Sequence, residues 1–551
     1  MSAKLKLYLG RKILDSLKTK TTTTAPDLAP LLEVSATKQE RNIQMSISLT
    51  KLEKYLGVSN FTLDIPNRIL KIQPDDIIKN IHTLKDSSNK KLCFDIDRTI
   101  FIKEVVENEK LLNLNRHTKR IVVEFSSPNV AKPFHVGHLR STIIGNFIAN
   151  LHSHINNQVT RLNYLGDWGT QFGLIKVGVE ELKYSSENIR KNPLQLLYES
   201  YVHANKLAIS DKSILDRARR EFAKLESGAP DDIANWKTYI TYTISELKAM
   251  YNRLGVRFDE YNYESMYNAK HINDVLTQLD KMKILKTNIE GKQTARVNDR
   301  DITVRKSDGT TLYLTRDIAA AMDRFKKYQF DKMYYVVENG QNDHFVALKD
   351  ILRQMDLPWA DRMKHIKFGR IHGMSTRRGK VVFLKDILDE TRDLMVQRQL
   401  ASPTTKVPIN NTETSDILGI SCVIVNDLKQ RRQRDYTFSW ERALQVQGDS
   451  GIKLQYTHCR LCSLQKVSGA IAATSCIPDL LPENKVVDLV TCILVAYLFH
   501  LCNHINKALK ILKVKNQEHE IASQRLLLFN TSRDILEQGM TILGLKPLSE
   551  M

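Results

Sequence analysis

Cysteine is scarce in this chain, with seven in 551 residues, and all but Cys93 fall after position 420. An odd and sparse set gives no disulfide framework and points to a reducing compartment. His458-Cys459-x-x-Cys462 has no second pair at finger-like spacing, so these read as helix cysteines and no zinc is expected. Long apolar runs are missing too. The most apolar stretch, Val486 to Cys502, is interrupted by Asp488 and His500 and is shorter than a bilayer requires. It reads as one buried helix, and no membrane insertion is expected. Internal repeats and long low-complexity tracts are absent. Acidic residues are the last shortage: 62 against 82 basic ones, a net charge of +20. The excess is not a tail, since residues 1–120 carry 22 basic and 14 acidic residues and 401–551 carry 17 and 14. Positive charge spread through a folded body suits a large polyanion such as RNA.

The length corresponds to about three to four domains. The first twenty residues hold six basic side chains and one acid, with Leu5, Leu9, Ile13 and Leu17 at helical spacing. That composition describes a mitochondrial presequence. It describes the first helix of an RNA-binding domain equally well. From there to about residue 118 the pattern mixes a helix-like stretch, Ile43 to Leu56, with alternating strands at Lys91 to Phe94 and Thr99 to Val105, a small α+β unit. From Arg120 strands and helices alternate, the mark of a parallel sheet with crossover helices. Strands are expected at Ile121 to Phe125, Val159 to Tyr164, Ile302 to Arg305, Leu312 to Leu314 and Lys332 to Val337. A charged helical passage, Leu194 to Leu254, reads as an insertion, and Ala401 to Thr414 as a linker. After it the chain is almost wholly helical.

The segment IVVEFSSPNVAKPFHVGH, Ile121 to His138, carries the chemistry. A β-branched run stops at the polar turn Ser126 to Asn129. Lys132, His135, Gly137 and His138 then precede an apolar-periodic helix, Leu139 to Ile155. A helix N-terminus offers unpaired N–H groups and the positive end of its dipole to phosphate. Gly137, lacking a Cβ, lets a nucleotide approach the backbone. Two imidazoles and an ammonium can meet charge that grows on a triphosphate. Two His around a Gly also recur by chance as ordinary loop residues; the placement between strand and helix favours function.

This loop resembles the HIGH motif of class I aminoacyl-tRNA synthetases. SSPNVAKPFHVGHLRSTIIG and LNYLGDWGTQFG narrow the resemblance to arginyl-tRNA synthetases of the mitochondrial type. It continues through YLTRDIAAA, DLKQRRQRDYTFSW and GIKLQYTHCRL, and covers roughly Ile121 to the C-terminus. The implied fold is multidomain α/β. Residues 1–25 form a presequence or first helix, and 26–118 a small α+β N-terminal domain of tRNA-binding type. Residues 119–400 form a class I Rossmann-like catalytic domain with a parallel sheet and a helical insertion, and 401–551 an all-α anticodon-binding domain. The implied reaction is ATP-dependent attachment of L-arginine to tRNA(Arg) through arginyl-adenylate. ATP enters with Mg2+ as a substrate complex, without a tightly bound cofactor. A monomer in the mitochondrial matrix is expected, with the cytoplasm as the alternative.

The resemblance also distributes roles. His135 and His138 meet the phosphates, and Gly137 makes room for adenosine. The second loop of the class, KMSKS, matches Gly373-Met374-Ser375-Thr376-Arg377-Arg378-Gly379-Lys380, where both family lysines are absent. The resemblance assigns the missing charge to Lys132, and Met374, Ser375 and Arg377 remain ATP-binding candidates. Tyr313 and Asp317 match the residues that bind the guanidinium, and being four apart they share a face if helical. A carboxylate is the natural partner of that planar fork of donors. Asn129, Asn163 and Gln341 match further arginine-binding positions. A carboxylate that some relatives carry falls at Gln158, which puts one contact in doubt. Asp167 to Gly169 reads as a helix cap with a tight turn. Lys429, Arg431, Arg432 and Arg434, followed by Tyr436, Phe438 and Trp440, suit phosphate contact with base stacking, or plain packing. Two other readings stand beside the enzyme: a catalytically weak tRNA-binding paralogue, and a nucleotidyltransferase without tRNA.

Overall fold

The computed structural model describes residues 3–17, 23–36, 43–56, 64–86, 89–107, 118–130, 134, 136–226, 230–307, 309, 311–373, 383–402, 412–445, 448–495 and 498–551. The amino-terminal helix Ala3–Leu17 turns Leu5, Leu9, Ile13 and Leu17 into the core, each at most 4% exposed. It packs beside an antiparallel sheet in the order Glu33–Ala36, Ile43–Ser48, Asn89–Ile96, Ile78–Asp86. Two local expectations are corrected here. Ile43 to Leu56 is not one helix: Ile43–Ser48 is a strand buried on both faces, and the helix starts at Leu49. Thr99 to Val105 is not a strand. Asp97 accepts the Ile100 N–H at 2.9 Å and starts the helix Arg98–Glu107, a cap that overrides the β-branched content.

The central sheet is fully parallel, with strands ordered Met363–Phe368, Lys332–Glu338, Arg120–Glu124, Gln158–Leu165, Glu260–Tyr263. The chain runs outward from the Arg120 strand in one direction and then returns to fill the other side. The switch point therefore lies beside that strand, where open α/β sheets place their ligands. Alternation along it divides the layers. Ile121, Val123 and Phe125 face the core shared with the helix Val136–His154, while Val122 faces the core shared with Tyr313–Tyr328. Gly145 lets the first helix lie against the strand end, because a Cβ there would sit 2.2 Å from Phe125. The insertion is helical, with Pro193–Ser210, Ser213–Glu226 and Pro230–Arg253 inside the expected passage.

The expected strand at Leu312 to Leu314 is also corrected: Tyr313 begins a helix, and strand-like pairing ends at an isolated bridge between Arg305 and Thr311. Thr412 to Thr414 belong to the helix Thr412–Leu428, so the linker is shorter than expected; 403–411 lie outside the described residues. Val486 to Cys502 spans two helices, Asn484–Val495 and Leu498–Ile511. Among the described residues no helix is long and apolar enough to cross a membrane. The carboxyl-terminal region is mostly helical, with one exception to the all-α expectation. Tyr436–Thr437 pairs in parallel with Ile371–His372 of the preceding unit.

That small pairing sits on a buried knot. Arg140, on the Val136–His154 helix and 1% exposed, places Nε 3.2 Å from Asp427 Oδ1. Its guanidinium donates to the carbonyls of Gly369 and Arg434 and lies 4.9 Å from the Tyr436 ring centre. Tyr436 in turn donates its hydroxyl to Asp427 Oδ1 at 2.9 Å. Gly369 admits no side chain, since a Cβ would stand 2.3 Å from the Arg434 carbonyl carbon. Breaking a buried pair strands the surviving charge. Asp427→Ala is therefore expected to destabilise the fold by about 3–5 kcal/mol. Arg140→Met combined with Asp427→Leu should cost less than the two single changes summed. Urea denaturation of the wild type, Asp427→Ala, the two single changes of the cycle and their combination measures this, and additive losses would contradict it.

Candidate active site

The backbone bends sharply where the Arg120 strand ends. Ser126 and Ser127 hold φ of 71° and 45°, the left-handed region that side chains seldom adopt. A buried polar network fixes this strained turn. Ser126 Oγ lies 2.7 Å from the Tyr251 hydroxyl, and Thr142 donates to Ser126 Oγ at 2.9 Å. Ser141 receives the Ser126 N–H at 2.9 Å and donates onward to the Val336 carbonyl. Asn163, fully buried, accepts from Ser127 N and donates to Tyr251 at 3.1 Å each. Three strands and two helices, Val136–His154 and the insertion's long one, thus converge on one turn.

Beyond the turn, Asn129 bridges to Gly166, so the first two strands stay paired past their formal ends. Its amide donates to Gln171 at 3.1 Å. Gly137 and His138 occupy the first turn of the Val136–His154 helix, both half-buried. His138 packs 5.5 Å from Phe134, whose carbonyl accepts the Leu384 N–H at 3.1 Å. Leu384 begins the helix after residues 374–382, and Gly369, before them, is held by Arg140. Both flanks of the second loop are therefore tied to the segment carrying His138. Lys132, His135, Met374, Ser375 and Arg377 lie outside the described residues.

Across the switch point stand acids. Tyr313 and Asp317 lie one turn apart at the start of the helix Tyr313–Tyr328, with Tyr313 61% exposed. Asp317 Oδ2 is 2.7 Å from His344 Nε2. Gln341, exposed, closes the turn that follows the Lys332 strand. Beneath Asp317, Arg324 and Glu124 form an ion pair at 2.6 Å, 2% and 6% exposed at the side chain. Tyr164 and Tyr335 rings flank the guanidinium at 4.6 and 5.8 Å. Burial pushes Glu124 up against the pull of Arg324, which stays firmly protonated.

Two more carboxyls face this cluster. Burial lifts Glu264 to about 8, with further upward push from Asp317 and Asp167. Glu264 Oε2 is buried without a hydrogen-bond partner. Burial also lifts Asp167, to about 6, although its carboxylate accepts the Ser265 N–H and hydroxyl at 2.9 and 2.6 Å. Asp167 thus braces the turn after the Glu260 strand. Glu264 escapes a sequence reading because its strand is four residues of charged and aromatic character, Glu-Tyr-Asn-Tyr, with no apolar run. The only available signal is an acid directly after a Tyr-rich stretch. Arg316 pulls both carboxyls downward but does not overcome their burial. Carboxyls that remain raised beside a cation make a site for a further one, and an orphaned acceptor marks where its donors belong.

Two candidates fall away from the site. Gln158 stands exposed at the opening of its strand, paired with Arg120, at the opposite end of the sheet. Its departure from the acidic relatives leaves the pocket untouched. Tyr436, Phe438 and Trp440 pack inward instead of forming a stacking platform: Phe438 is 6% exposed and meets Trp440 edge to face at 5.1 Å. The basic side chains beside them are exposed at Arg431, Arg432 and Arg434.

Similarity to known proteins extends over most of the chain. The family model described as tRNA synthetases class I (R), catalytic domain, matches residues 101–440, and the DALR anticodon binding domain matches 482–551. A Bos taurus protein named probable arginine–tRNA ligase, mitochondrial, is 41% identical over 87% of this chain and 88% of its own. The cytoplasmic arginine–tRNA ligase of Saccharomyces cerevisiae is 38% identical over 79% and 77%. In fold, the chain is similar to the arginyl-tRNA synthetase of Plasmodium falciparum, with a TM-score of 0.76 at 23% identity over 100% and 98% of the two chains.

Because Glu264 ionises only near pH 8, binding of a guanidinium-bearing ligand should release a proton below that pH. The raised acid is neutral below 8 and charged above it, and the cation binds the charged form. Affinity is expected to climb by up to about tenfold per pH unit toward pH 8 and then level off. Glu264→Gln should flatten that slope. Calorimetry with arginine across pH 6.5–9 measures it, and a slope unchanged in the variant would refute the assignment.

Proposed function

This chain belongs to the class I arginyl-tRNA synthetase family, and on that footing we propose that it is an arginine–tRNA ligase. It attaches L-arginine to tRNA(Arg) at the expense of ATP, releasing AMP and pyrophosphate. Enzymes of this class use ATP with Mg2+ as a substrate complex, and no tightly bound cofactor or zinc enters the reading. The observation that carries the proposal is the acidic pocket of Asp317 and Glu264 at the switch point, opposite the helix start at Gly137 and His138. One side is matched to a guanidinium, the other to phosphate.

In the proposed site the arginine side chain enters between Tyr313, Asp317 and Glu264, with Gln341 and Asn129 at the strand ends around it. Asn163 serves from beneath, holding Ser127 and Tyr251. The arginine carboxylate attacks the α-phosphorus, pyrophosphate leaves, and the terminal ribose hydroxyl of the tRNA then displaces AMP from the adenylate carbonyl. Positioning and charge stabilisation do the work. Lys132, His135 and His138 meet the growing negative charge, Gly137 admits the adenosine, and Met374, Ser375 and Arg377 complete the nucleotide site. With no lysine at Gly373 and Thr376, Lys132 supplies the charge that this second loop otherwise brings.

For the remaining segments, 26–118 is proposed as a tRNA-binding domain, 119–400 as the catalytic domain and 401–551 as the anticodon-binding domain. The burial of Leu5, Leu9, Ile13 and Leu17 supports the first-helix reading of residues 1–25 over a removable presequence. The enzyme is proposed to act as a monomer in the mitochondrial matrix, on the strength of mitochondrial relatives such as the bovine one. Cytoplasmic relatives keep the cytoplasm as the alternative.

Arginine-dependent pyrophosphate exchange, with its tRNA present, and tRNA charging are the tests. The wild-type protein should perform both. His138→Ala should lose at least about 100-fold in exchange, the scale for removing a transition-state donor, while keeping tRNA affinity within about twofold. Absence of exchange in well-folded wild-type protein would sink the catalytic reading, and equal loss of tRNA binding in the variant would make His138 structural.

A further inference from the structure

His344 has no part in the assignments above, yet it holds the carboxylate on which the pocket turns. It sits in the first turn of the helix Asn342–Gln354, three residues after Gln341, and its Nε2 lies 2.7 Å from Asp317 Oδ2. Both side chains are about one quarter exposed, so the contact is open to solvent. The ring is itself fixed. His344 meets Phe345 edge to face at 5.5 Å, and Phe345 packs on Tyr335 at 5.0 Å and His365 at 4.5 Å. The imidazole therefore stands on an aromatic stack anchored in the central sheet.

We propose that His344 is a positioning residue for arginine selection, locking the Asp317 carboxylate plane so that it meets a guanidinium fork in preference to a point ammonium. The inference rests on Asp317 being the guanidinium ligand. An Nε2–H of this imidazole donates to one lone pair of Oδ2. The second lone pair of that oxygen and all of Oδ1 remain for the substrate. A carboxylate on a lone side chain swings about its last bond, and a planar fork loses both of its parallel hydrogen bonds when it does. An ammonium has no plane to match and loses far less. Fixing the plane therefore favours arginine over lysine. It also explains why the histidine belongs to the helix after the Lys332 strand. Gln341 and His344 come from one turn and its helix, so the same element brings one arginine-binding residue and the brace for another.

The test measures steady-state KM for arginine, ATP and tRNA, with exchange rates for arginine and lysine, in wild type, His344→Ala, His344→Gln and Asp317→Asn. His344→Ala is expected to raise the arginine KM about tenfold, with the KM values for ATP and tRNA within about twofold. Its arginine-to-lysine preference should narrow by a similar factor. His344→Gln, which keeps an N–H donor, should recover a substantial part of both. His344→Ala combined with Asp317→Asn should be no worse than Asp317→Asn alone, because the brace acts only through that carboxylate. An unchanged arginine KM in His344→Ala while Asp317→Asn raises it would overturn the proposal alone. An unchanged arginine KM in Asp317→Asn would overturn the pocket reading and the proposal together. A uniform loss across all three substrates, matched by a lowered melting temperature and no rescue by Gln, would make His344 structural and overturn it as well.

Discussion

The Arg140–Asp427 pair is the point at which three separate stretches of chain become one machine. Arg140 belongs to the helix that presents Gly137 and His138, and Asp427 to the helix Thr412–Leu428. Between them lie Gly369 and the strand Ile371–His372, which leads into residues 374–382. Backbone hydrogen bonds run alongside the side-chain contacts of the pair. The Gly369 N–H reaches the Arg432 carbonyl, the Tyr436 N–H reaches Arg370, and the Phe438 N–H reaches His372, all within 3.0 Å. Such bonds fix position irrespective of side-chain motion. A shift of the helical region at residues 427–438 is thereby a shift of the entry to the second loop.

A second constraint is electrostatic. The pocket gathers Asp317, Glu264, Asp167 and Glu124 about two arginines: Arg324, which Glu124 already engages, and Arg316, which offsets only part of the upward push on Glu264 and Asp167. Without substrate the carboxyls repel, and burial pushes Glu264 and Asp167 toward the neutral form. Part of that cost is held in reserve until a cation arrives. A cationic side chain relieves the repulsion and the desolvation together, so charge selects the class of substrate and hydrogen-bond geometry selects within it. The strained Ser126–Ser127 turn belongs to the same logic, because its cost is met by the buried hydroxyls of Ser141, Thr142 and Tyr251.

Much of this was legible in the sequence where local pattern and chemistry coincide. The strand, polar turn and helix around Ile121 to His138 announced themselves, because a β-branched run, a polar turn and an apolar-periodic helix are each set by near neighbours. Tyr313 and Asp317 were legible as a pair, although the segment leading into them read as a strand until the helix placed both on one face. What escaped was set by tertiary contact. The edge strand Glu260–Tyr263 draws its order from pairing with Leu162–Leu165, and its sequence carries no strand period. Glu264 and His344 gain meaning only from what stands across the pocket. Ile43–Ser48 carries a strand period, with Ile43, Met45 and Ile47 apolar and Gln44, Ser46 and Ser48 polar, which is lost when Ile43 to Leu56 is read as one helix. Gln158 is the opposite case: the resemblance put one contact in doubt there, whereas five residues of strand carry it to the far end of the sheet from Asn163, about 17 Å away.

The central claim is that a guanidinium and an adenylate phosphate share the switch point, the first on the acids and the second at the helix start. A crystal structure with a non-hydrolysable arginyl-adenylate analogue tests it most directly. The guanidinium should lie within about 3 Å of Asp317 and Glu264, with the adenosine over Gly137 and the phosphate beside His138. An analogue bound with its guanidinium away from both carboxyls would contradict the account.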